Sequence, residues 1–431
     1  MENNKTIDKG ILDTQTKIKR FFIKNMVTIM FIVISYIGFH YSGLSVPFFM
    51  SELITRFARN GFMVLALIIP VMAGMGLNFA IVLGAMAGQV GIIMVAHWGI
   101  EGWVGVLVCV LLATPVAILL GFLTGKLLNK TKGQEMITSL ILGFFANGVY
   151  QFIFLILVGS IIPMKNEQLI LSSGVGLRVT IALNDTVRYA LDDIWKFSFV
   201  HTVLAATLLF LLIYSVKLYK MIKKEDIAAP SNKTKVYFNL GVVVAVLAVT
   251  IGVMFTETRV NDLQVPMVTF LIIGMLCLFT YFLSITKLGQ DLRTVGQDRH
   301  IAKVSGINSD GIRLLAIIMS TLLAAYGQII YLQNLGTLST YGSHEQVGMF
   351  AIAALLIGGA SVTKATIGQA ILGTLLFHTM FIVSPLAGRE LFGDAQLGEY
   401  FRAFVAYGVI GLSLAMHAWK KHIQSKDELG M

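Results

Sequence analysis

Apolar runs long enough to cross a lipid bilayer recur along this chain and leave it few ways to fold. A transmembrane helix needs about 20 apolar residues. Only helices and closed barrels span a membrane, because backbone groups in lipid must pair within the protein. We therefore predict an all-α, polytopic transmembrane helical bundle of ten to twelve spans. The candidate runs lie near 21–44, 61–77, 79–97, 103–125, 136–162, 197–216, 236–255, 265–285, 313–333, 347–361, 366–385 and 401–418.

The composition excludes a soluble protein. Charged residues make up 13% of the chain and hydrophobic residues 56%, and the mean hydropathy is +0.79. A soluble domain carries roughly 25% charged residues. A net charge of +10 could indicate nucleic-acid binding, but the basic residues fall in the loops between apolar runs. We therefore expect lipid, and no nucleic acid, as the surroundings of this chain.

The distribution of lysine and arginine predicts the orientation. If all twelve runs cross and the N-terminus is cytoplasmic, 24 of the 33 basic residues lie on the cytoplasmic side. This positive-inside bias predicts that both termini of a multi-pass membrane protein are cytoplasmic. Ten spans would place both termini on the same side as twelve spans do. We expect a cytoplasmic tail over 1–20, a transmembrane domain over 21–418 and a second cytoplasmic tail over 419–431.

Glycines concentrate in two regions of the membrane domain. In the run 61–97 they leave open whether the chain crosses twice or forms one span plus a half-helix. Small residues four apart let helix backbones approach closely in lipid. A break between Gly74 and Asn78 would instead line a cavity at mid-membrane. The second region lies near the C-terminus and hints at an internal repeat. The glycines that we assign to helix packing or helix breaks are Gly74, Gly76, Gly84, Gly88, Gly358 and Gly359.

Six uncharged polar residues lie inside the predicted spans. Polar groups are costly in lipid and face a bundle interior or a cavity. Each could form an interhelical hydrogen bond or contact a solute, and together they predict a path for a neutral, hydrogen-bonding solute. We expect no carboxylate or lysine near the centre of a span, which argues against a carrier driven by a cation gradient. The candidates for the path are Asn78, Gln89, Asn147, Gln151, Gln328 and His378.

Two loops differ from simple connections. The predicted outer loop 163–196 has mixed charge and is either a solvated face or a docking surface for an extracellular protein. The cytoplasmic loop 286–313 has apolar residues three apart at Ile301, Val304 and Ile307, which predicts a short amphipathic helix outside the bilayer. Gly306 and Asn308 can end that helix. Such a helix is either a linker or a surface for a partner protein.

Sequence features of an enzyme are missing. The nearest match to a phosphate-binding loop, at 121–127, is one residue too short and lacks the Ser or Thr that holds Mg²⁺. No zinc spacing and no paired carboxylates occur within the predicted spans. We therefore expect no catalytic residue, no metal site and no bound cofactor, so that energy from ATP would have to come through a partner.

The stretch Leu292-Arg-Thr-Val-Gly-Gln-Asp-Arg-His-Ile-Ala-Lys-Val-Ser-Gly-Ile-Asn308 resembles a loop of bacterial ABC importer permeases for ribose-type sugars, nucleosides and branched-chain amino acids. The family pattern is roughly Leu-Arg-Ala-Val-Gly-Gln/Glu-Asn-Pro, two or three residues, Ala-Ala, then Gly-Ile-Asn. Asp298 and Arg299 stand where Asn-Pro is usual, Thr294 where Ala is usual, and Ala302 replaces the Ala pair. The glycine-rich runs at 76–89 and 358–377 resemble conserved spans of the same family.

The resemblance implies a permease subunit of an ATP-driven importer. Its cytoplasmic loop would be the coupling helix that docks on a separate ATPase, which binds ATP and Mg²⁺. A second permease subunit, identical or similar, and an extracellular solute-binding protein would complete the importer. We expect a simple sugar or nucleoside as solute. The alternatives are branched-chain amino acids, an ion-driven secondary carrier, or a membrane enzyme acting on lipid. The coupling role falls on Arg293, Gly296, Gln297, Ile301, Ala302, Val304, Gly306, Ile307 and Asn308.

Overall fold

A computed structural model describes residues 25–131, 133–164, 166–223, 230–256 and 259–428. The predicted tail 1–20 lies outside these residues. The described chain is an all-α bundle with ten helices that are long and apolar enough to cross a membrane. This confirms the predicted fold class.

The first half of the bundle contains six α-helices. They are α1 (Asn25–Ser42), α2 (Val46–Ala66), α3 (Ile68–Met72), α4 (Ile81–Trp98), α5 (Gly102–Lys130) and α6 (Glu135–Phe152). Helices α2 and α3 together form one crossing, and α6 continues into a π-helical turn, Ile153–Leu157. The second half contains α7 (Phe199–Lys223), α8 (Pro230–Met254), α9 (Met267–Ile285), α10 (Lys287–Gln297), α11 (Arg299–Val304), α12 (Ser309–Leu335), α13 (Ser343–Ile357), α14 (Ile367–Phe392) and α15 (Ala395–Glu428).

Four short strands tie loops together at one end of the bundle. Strand β1 (Thr180–Ala182) pairs antiparallel with β4 (Thr337–Ser339), with Ile181 opposite Leu338. Strand β2 (Lys196–Ser198) pairs antiparallel with β3 (Gln264–Pro266), with Phe197 opposite Val265. The loops after α6, α8 and α12 therefore meet at one end of the bundle, as the alternation of the crossings from α6 to α12 requires.

The opposite end gathers the other connections. The loops after α3 and α13 are in contact, because a β-carbon added to Gly76 would lie 3.0 Å from Val362 Cγ1. The α10–α11 segment reaches the start of α6 through an ion pair between Arg299 and Glu135. From the positive-inside argument we predict that this end is the cytoplasmic one.

The second crossing departs from the prediction. We placed it at 61–77, with Arg56 and Arg59 in an outer segment, but α2 begins at Val46 and contains both arginines. Arg59 Nε donates a hydrogen bond to Asn334 Oδ1 on α12 at 2.7 Å. Pairing of this kind offsets the cost of a charged residue within a membrane helix.

A proline within this second crossing leaves one carbonyl without a helical partner. Pro70 carries no N–H, so it cannot bond to the carbonyl of Ala66 four residues before it. Ser320 Oγ of α12 donates to that carbonyl at 3.1 Å. The bond holds the α2–α3 crossing against α12.

The core of the bundle is formed by α2, α4, α12 and α14. A β-carbon on Gly84 would lie 2.3 Å from Thr321 O, and one on Gly88 would lie 2.5 Å from Ala325 O. Both distances are shorter than a carbon and an oxygen can tolerate, so α4 meets α12 backbone against backbone. Gly358 likewise allows α13 to approach Gln369 O of α14.

Candidate functional site

The loop 286–313, which we predict to be cytoplasmic, folds as two helices rather than one. Helix α10 begins at Lys287 after the N-cap Thr286, and α11 begins at Arg299 after the N-cap Asp298. Helix α11 ends at Val304, and Gly306 follows with a φ of +78°, a conformation that glycine adopts without strain. Arg293, Gly296 and Gln297 therefore lie on α10, apart from the short helix that carries Ile301 and Val304.

Two residues of this loop have roles that differ from those expected. Asn308 does not end α11; its Oδ1 accepts a hydrogen bond from the backbone N–H of Gly311 at 3.0 Å and caps the start of α12. Ile307 lies beyond Val304, the last residue of α11. The apolar row on that helix therefore contains only Ile301 and Val304.

The cap of α11 is charged. Asp298 Oδ1 accepts hydrogen bonds from the backbone N–H of His300 at 2.6 Å and of Ile301 at 3.0 Å. These two donors lower the pKa of the Asp298 carboxyl below its usual value. At neutral pH the cap is therefore ionised and favours the start of α11, where the helix dipole is positive.

Helix α11 presents an apolar tip to its surroundings. Ile301 is 58% exposed and Val304 is 78% exposed, whereas Ala302 between them is fully buried. Ala302 therefore anchors α11 to the bundle, and a partner protein can reach only the other two. Two neighbouring exposed apolar side chains on a helix outside the lipid are typical of a protein–protein contact.

Helix α10 packs onto the break between α3 and α4. Gly74 and Gly76 have φ of +68° and +70° and end the second crossing. A β-carbon on Gly74 would lie 2.6 Å from Gly296 Cα, and one on Gly296 would lie 2.2 Å from Met72 O. The break at Gly74–Asn78 is thus real, but it lies against α10 at the end of the bundle and not at mid-membrane.

A cavity of about 490 Å³ lies beside this contact. It is bounded by α10, the end of α9 and the loop before α14, and it contains hydroxyl and basic side chains. The loop with Gly358 and Gly359 therefore also lies close to the α10–α11 segment. Its polar lining is Thr280, Tyr281, Ser284, Arg293, Gln297, Thr363, Lys364 and Thr366.

Three charged residues connect the α10–α11 segment to the bundle. Glu135 Oε1 at the start of α6 accepts a hydrogen bond from Arg313 Nη2 of α12 at 2.7 Å. The same oxygen forms an ion pair with Arg299 of α11. Arg313 is fully buried and Glu135 is 8% exposed. One carboxylate therefore pairs with two guanidinium groups from two different helices.

Three of the six polar candidates for the path meet in one cluster. His344 Nδ1 lies 2.8 Å from Gln89 Oε1, and His344 Nε2 lies 2.9 Å from Asn147 Oδ1. Gln151 Nε2 donates to Asn147 Oδ1 at 3.5 Å, and Asn147 Nδ2 donates to the carboxylate of Glu345. The cluster connects α4, α6 and the first turn of α13.

The positions of these residues place the cluster inside the membrane domain. Asn147 lies about 18 Å along α6 from Glu135, at a rise of 1.5 Å per residue. That is near the middle of the Glu135–Leu157 crossing. Helix α13 has 15 residues, about 22 Å in length, which is less than the roughly 30 Å of a bilayer core. Its N-terminus therefore ends within the membrane, where a broken helix can line a path.

A cavity of about 280 Å³ opens beside the cluster. Asn147, Glu345 and Gln346 supply its polar groups, and Phe79, Phe144 and Tyr407 supply aromatic rings. Among the residues that the structure describes, the rest of the lining is aliphatic, methionine or glycine, with no lysine and no arginine. The cavity therefore offers hydrogen-bond acceptors and flat apolar surfaces, without a cationic side chain.

The other three candidates for the path do not line this cavity. Asn78 Oδ1 accepts from the backbone N–H of Ala80 at 3.1 Å within the break before α4. Gln328 is fully buried where Gly88 approaches α12. His378 is buried on α14 beside the rings of Phe377 and Phe381.

Sequence reasoning missed the residues that complete both clusters. We expected no carboxylate near the centre of a span, because the predicted span 347–361 left Glu345 in a loop. The structure places its carboxylate against Asn147, but the Glu345 side chain is exposed and lies in the first turn of α13, so the absence of a buried carboxylate at the centre of a span stays a prediction. A histidine and a glutamate directly before an apolar run were the available signal for the path cluster. Glu135 and Arg313, each at one end of a span, gave no such signal.

A bundle of membrane-crossing helices that holds a polar cluster, with a structured loop at one end, is typical of a membrane transport component. The family model described as the branched-chain amino acid transport system / permease component matches residues 186–414, more than half of the chain. The chain belongs to this family, and it is a multi-pass protein of the bacterial inner membrane. The predicted resemblance is thereby confirmed.

One curated relative is the high-affinity branched-chain amino acid transport system permease protein BraD of Pseudomonas aeruginosa. It is 27% identical to this chain over 165 residues, which are 37% of this chain and 49% of the relative. The chain thus matches about half the length of that relative. No solved structure matches the chain.

Proposed function

We propose that this chain is the permease subunit of an ATP-driven importer. Two such subunits, identical or similar, enclose the path, two cytoplasmic ABC ATPases supply the energy, and an extracellular solute-binding protein delivers the solute. The chain itself is not an enzyme; ATP and Mg²⁺ bind to the ATPase partner. The exposed apolar tip of α11, held to the bundle by Ala302 and Glu135, is the observation that carries this proposal.

The α10–α11 segment is the coupling loop in this proposal. Ile301 and Val304 insert into a groove on the ATPase, while Gly296 rests on the break after α3. Movement of the ATPases is thereby passed to the crossings of the bundle. Alternating access follows, in which ATP-driven closure and docking of the binding protein favour one orientation of the path and hydrolysis restores the other.

The polar cluster around His344 is the solute site in this proposal. A solute with hydroxyl or N–H donors would bond to Glu345 and Asn147, and a sugar ring or nucleobase would lie on the aromatic rings. A simple sugar or nucleoside therefore fits this cavity. The absence of lysine and arginine from the lining disfavours a solute that carries a carboxylate.

Branched-chain amino acids are the second candidate. The description of the family and the name of the BraD relative favour them. The aliphatic lining residues, such as Leu140 and Ile352, could hold the side chain of such a solute, and Glu345 its ammonium group. Its carboxylate would then have to rely on the N-terminus of α13, where the helix dipole is positive.

Association with an ATPase tests the coupling loop. Val304→Glu places a charge on the apolar tip, and we expect the affinity for the ATPase to fall at least about tenfold, since burying a valine stabilises a contact by roughly 1.5–3 kcal/mol. Val179→Glu, on an exposed valine at the other end of the bundle, is the matched control. Pull-down from detergent with purified ATPase gives the readout. Equal binding by Val304→Glu and wild type would contradict the assignment.

Uptake into proteoliposomes tests the solute site. Glu345→Gln keeps the shape of the side chain and removes its charge, so we expect uptake to fall about 10- to 100-fold, the value of a hydrogen bond to a charged group. Glu167→Gln in the loop after α6, where the side chain is exposed, is the control. Labelled ribose, uridine and leucine distinguish the solute classes. Uptake that needs an ion gradient and no ATPase would instead establish a secondary carrier.

A further inference from the structure

Helix α6 joins the two polar clusters and is otherwise weakly packed. Only 11% of the residues in its crossing are buried, against 72% for α4 and 56% for α12. Its last turn is π-helical, which loosens the regular hydrogen bonding before the loop that follows. A helix with so little packing can shift without disrupting the core of the bundle.

The cytoplasmic end of α6 is held by polar contacts. Glu135 binds Arg299 of α11 and Arg313 of α12 through the same oxygen. One turn further, Ser139 Oγ accepts the backbone N–H of Phe79 at 3.2 Å. The position of this end therefore depends on the α10–α11 segment and on the break after α3.

The middle of α6 carries the second contact. Asn147 Oδ1 lies 2.9 Å from His344 Nε2, and its amide nitrogen donates to Glu345. Twelve residues, about 18 Å of helix, separate Glu135 from Asn147. A displacement at the first contact reaches the second because the intervening helix is continuous from Glu135 to Phe152.

The two arginines differ in mobility. Arg313 is fully buried on α12, in the core, whereas Arg299 is 32% exposed on α11. Movement of α11 can therefore carry Glu135, through its ion pair with Arg299, away from Arg313, which stays with the core. The carboxylate then has two discrete arrangements, which is the requirement for a switch between two states.

We propose that Glu135 is a positioning residue that links movement of the α10–α11 segment to Asn147 in the solute site through α6. This proposal rests on the proposed function, since it needs an ATPase to move the segment. Arg299 stands where proline is usual in the pattern that the loop resembles. A proline at that position could not form the ion pair with Glu135. The Arg299–Glu135 ion pair therefore distinguishes this chain from chains that follow the usual pattern.

Two variants remove the link by different means. Arg299→Gln removes the partly exposed guanidinium group of α11 that forms the ion pair with Glu135. Glu135→Gln combined with Arg313→Met removes the carboxylate together with the buried charge that it neutralises, so that no unpaired cation remains to unfold the bundle. Glu390→Gln is the control, because it removes an exposed carboxylate near the end of α14, at the opposite end of the bundle.

The measurement uses the full complex in liposomes. Binding of the ATPase, phosphate release, and uptake of labelled ribose, uridine or leucine are recorded for each variant. We expect both link variants to bind the ATPase as wild type does, and the uptake per ATP hydrolysed to fall at least about fivefold, the lower end of coupling between linked sites. Glu390→Gln should leave this ratio unchanged.

A spin-label pair gives a readout that does not depend on the solute. Labels at the exposed positions Ile141 on α6 and Leu315 on α12 report the distance between the helices. Trapping the ATPase with vanadate should change this distance in wild type and not in Arg299→Gln. An unchanged ratio of uptake to hydrolysis in the link variants, or a distance change that persists in Arg299→Gln, would overturn the proposal. Failure of wild type to bind any ATPase would instead refute the proposed function.

Discussion

Helix α4 and the α7–α8 pair are both apolar, yet they occupy opposite environments. In α4, 72% of the residues in the crossing window are buried, whereas in α7 and in α8 the value is 11%, although these two are the more hydrophobic. The difference lies in the glycines. Those of α4 permit backbone contact with α12, while Gly241 and Gly252 of α8 have no atom within 4 Å of an added β-carbon. In lipid, hydropathy indicates which helices cross, and small residues in contact indicate which helices pack on protein.

The largest difference in stability is expected when a glycine is replaced by leucine in α4 and, for comparison, in α8. Gly84→Leu drives a side chain into Thr321 O, and we expect a loss of at least about 1–3 kcal/mol, the usual cost of overpacking, with a clear drop in the yield of folded protein. Gly241→Leu in α8 should leave yield and thermal stability as in wild type. Size-exclusion chromatography and thermal unfolding in detergent measure both. Equal tolerance of the two substitutions would contradict the assignment of α4 to the core.

A smaller effect concerns the one side-chain hydrogen bond that the structure describes between α7 and α8. Asn239 Nδ2 donates to Tyr214 Oη at 3.2 Å. Asn239→Leu removes it from a pair that packs mainly on itself, so we expect a loss of about 0.6 kcal/mol, the average for such bonds in membrane helices. Tyr214→Phe should give the same loss, and the double variant no further one. Additive losses would show that the two side chains have other partners.

Sequence reasoning located the crossings well, because each needs a long apolar run. It failed for the first part of α2, where Glu52, Arg56 and Arg59 interrupt the run. The ion pair of Arg56 with Glu52 and the hydrogen bond of Arg59 to Asn334 make these charges tolerable. Glu52 lies on the same helix as Arg56, whereas Asn334 lies on α12, far from Arg59 in the sequence. Only the folded bundle shows this second contact.

The candidate sites divide in the same way. The α10–α11 segment was predictable, since its pattern is local and breaks the apolar character of the chain around it. The burial of Ala302 was not, because a three-residue spacing does not say which face of a six-residue helix meets the bundle. The path cluster was half found: Gln89, Asn147 and Gln151 were named within spans, while His344 and Glu345 became visible only once the short α13 placed them between α4 and α6.

The pairing of β2 with β3 lets the chain leave the bundle and return to it at nearly the same place. Residues 199–263 run between the two strands, and they contain two crossings, α7 and α8. An even number of crossings returns the chain to the side from which it started. Gain or loss of the helices α7 and α8 together during evolution would therefore not invert the rest of the chain. Every later segment, including α11 with Val304, would stay on its present side of the membrane.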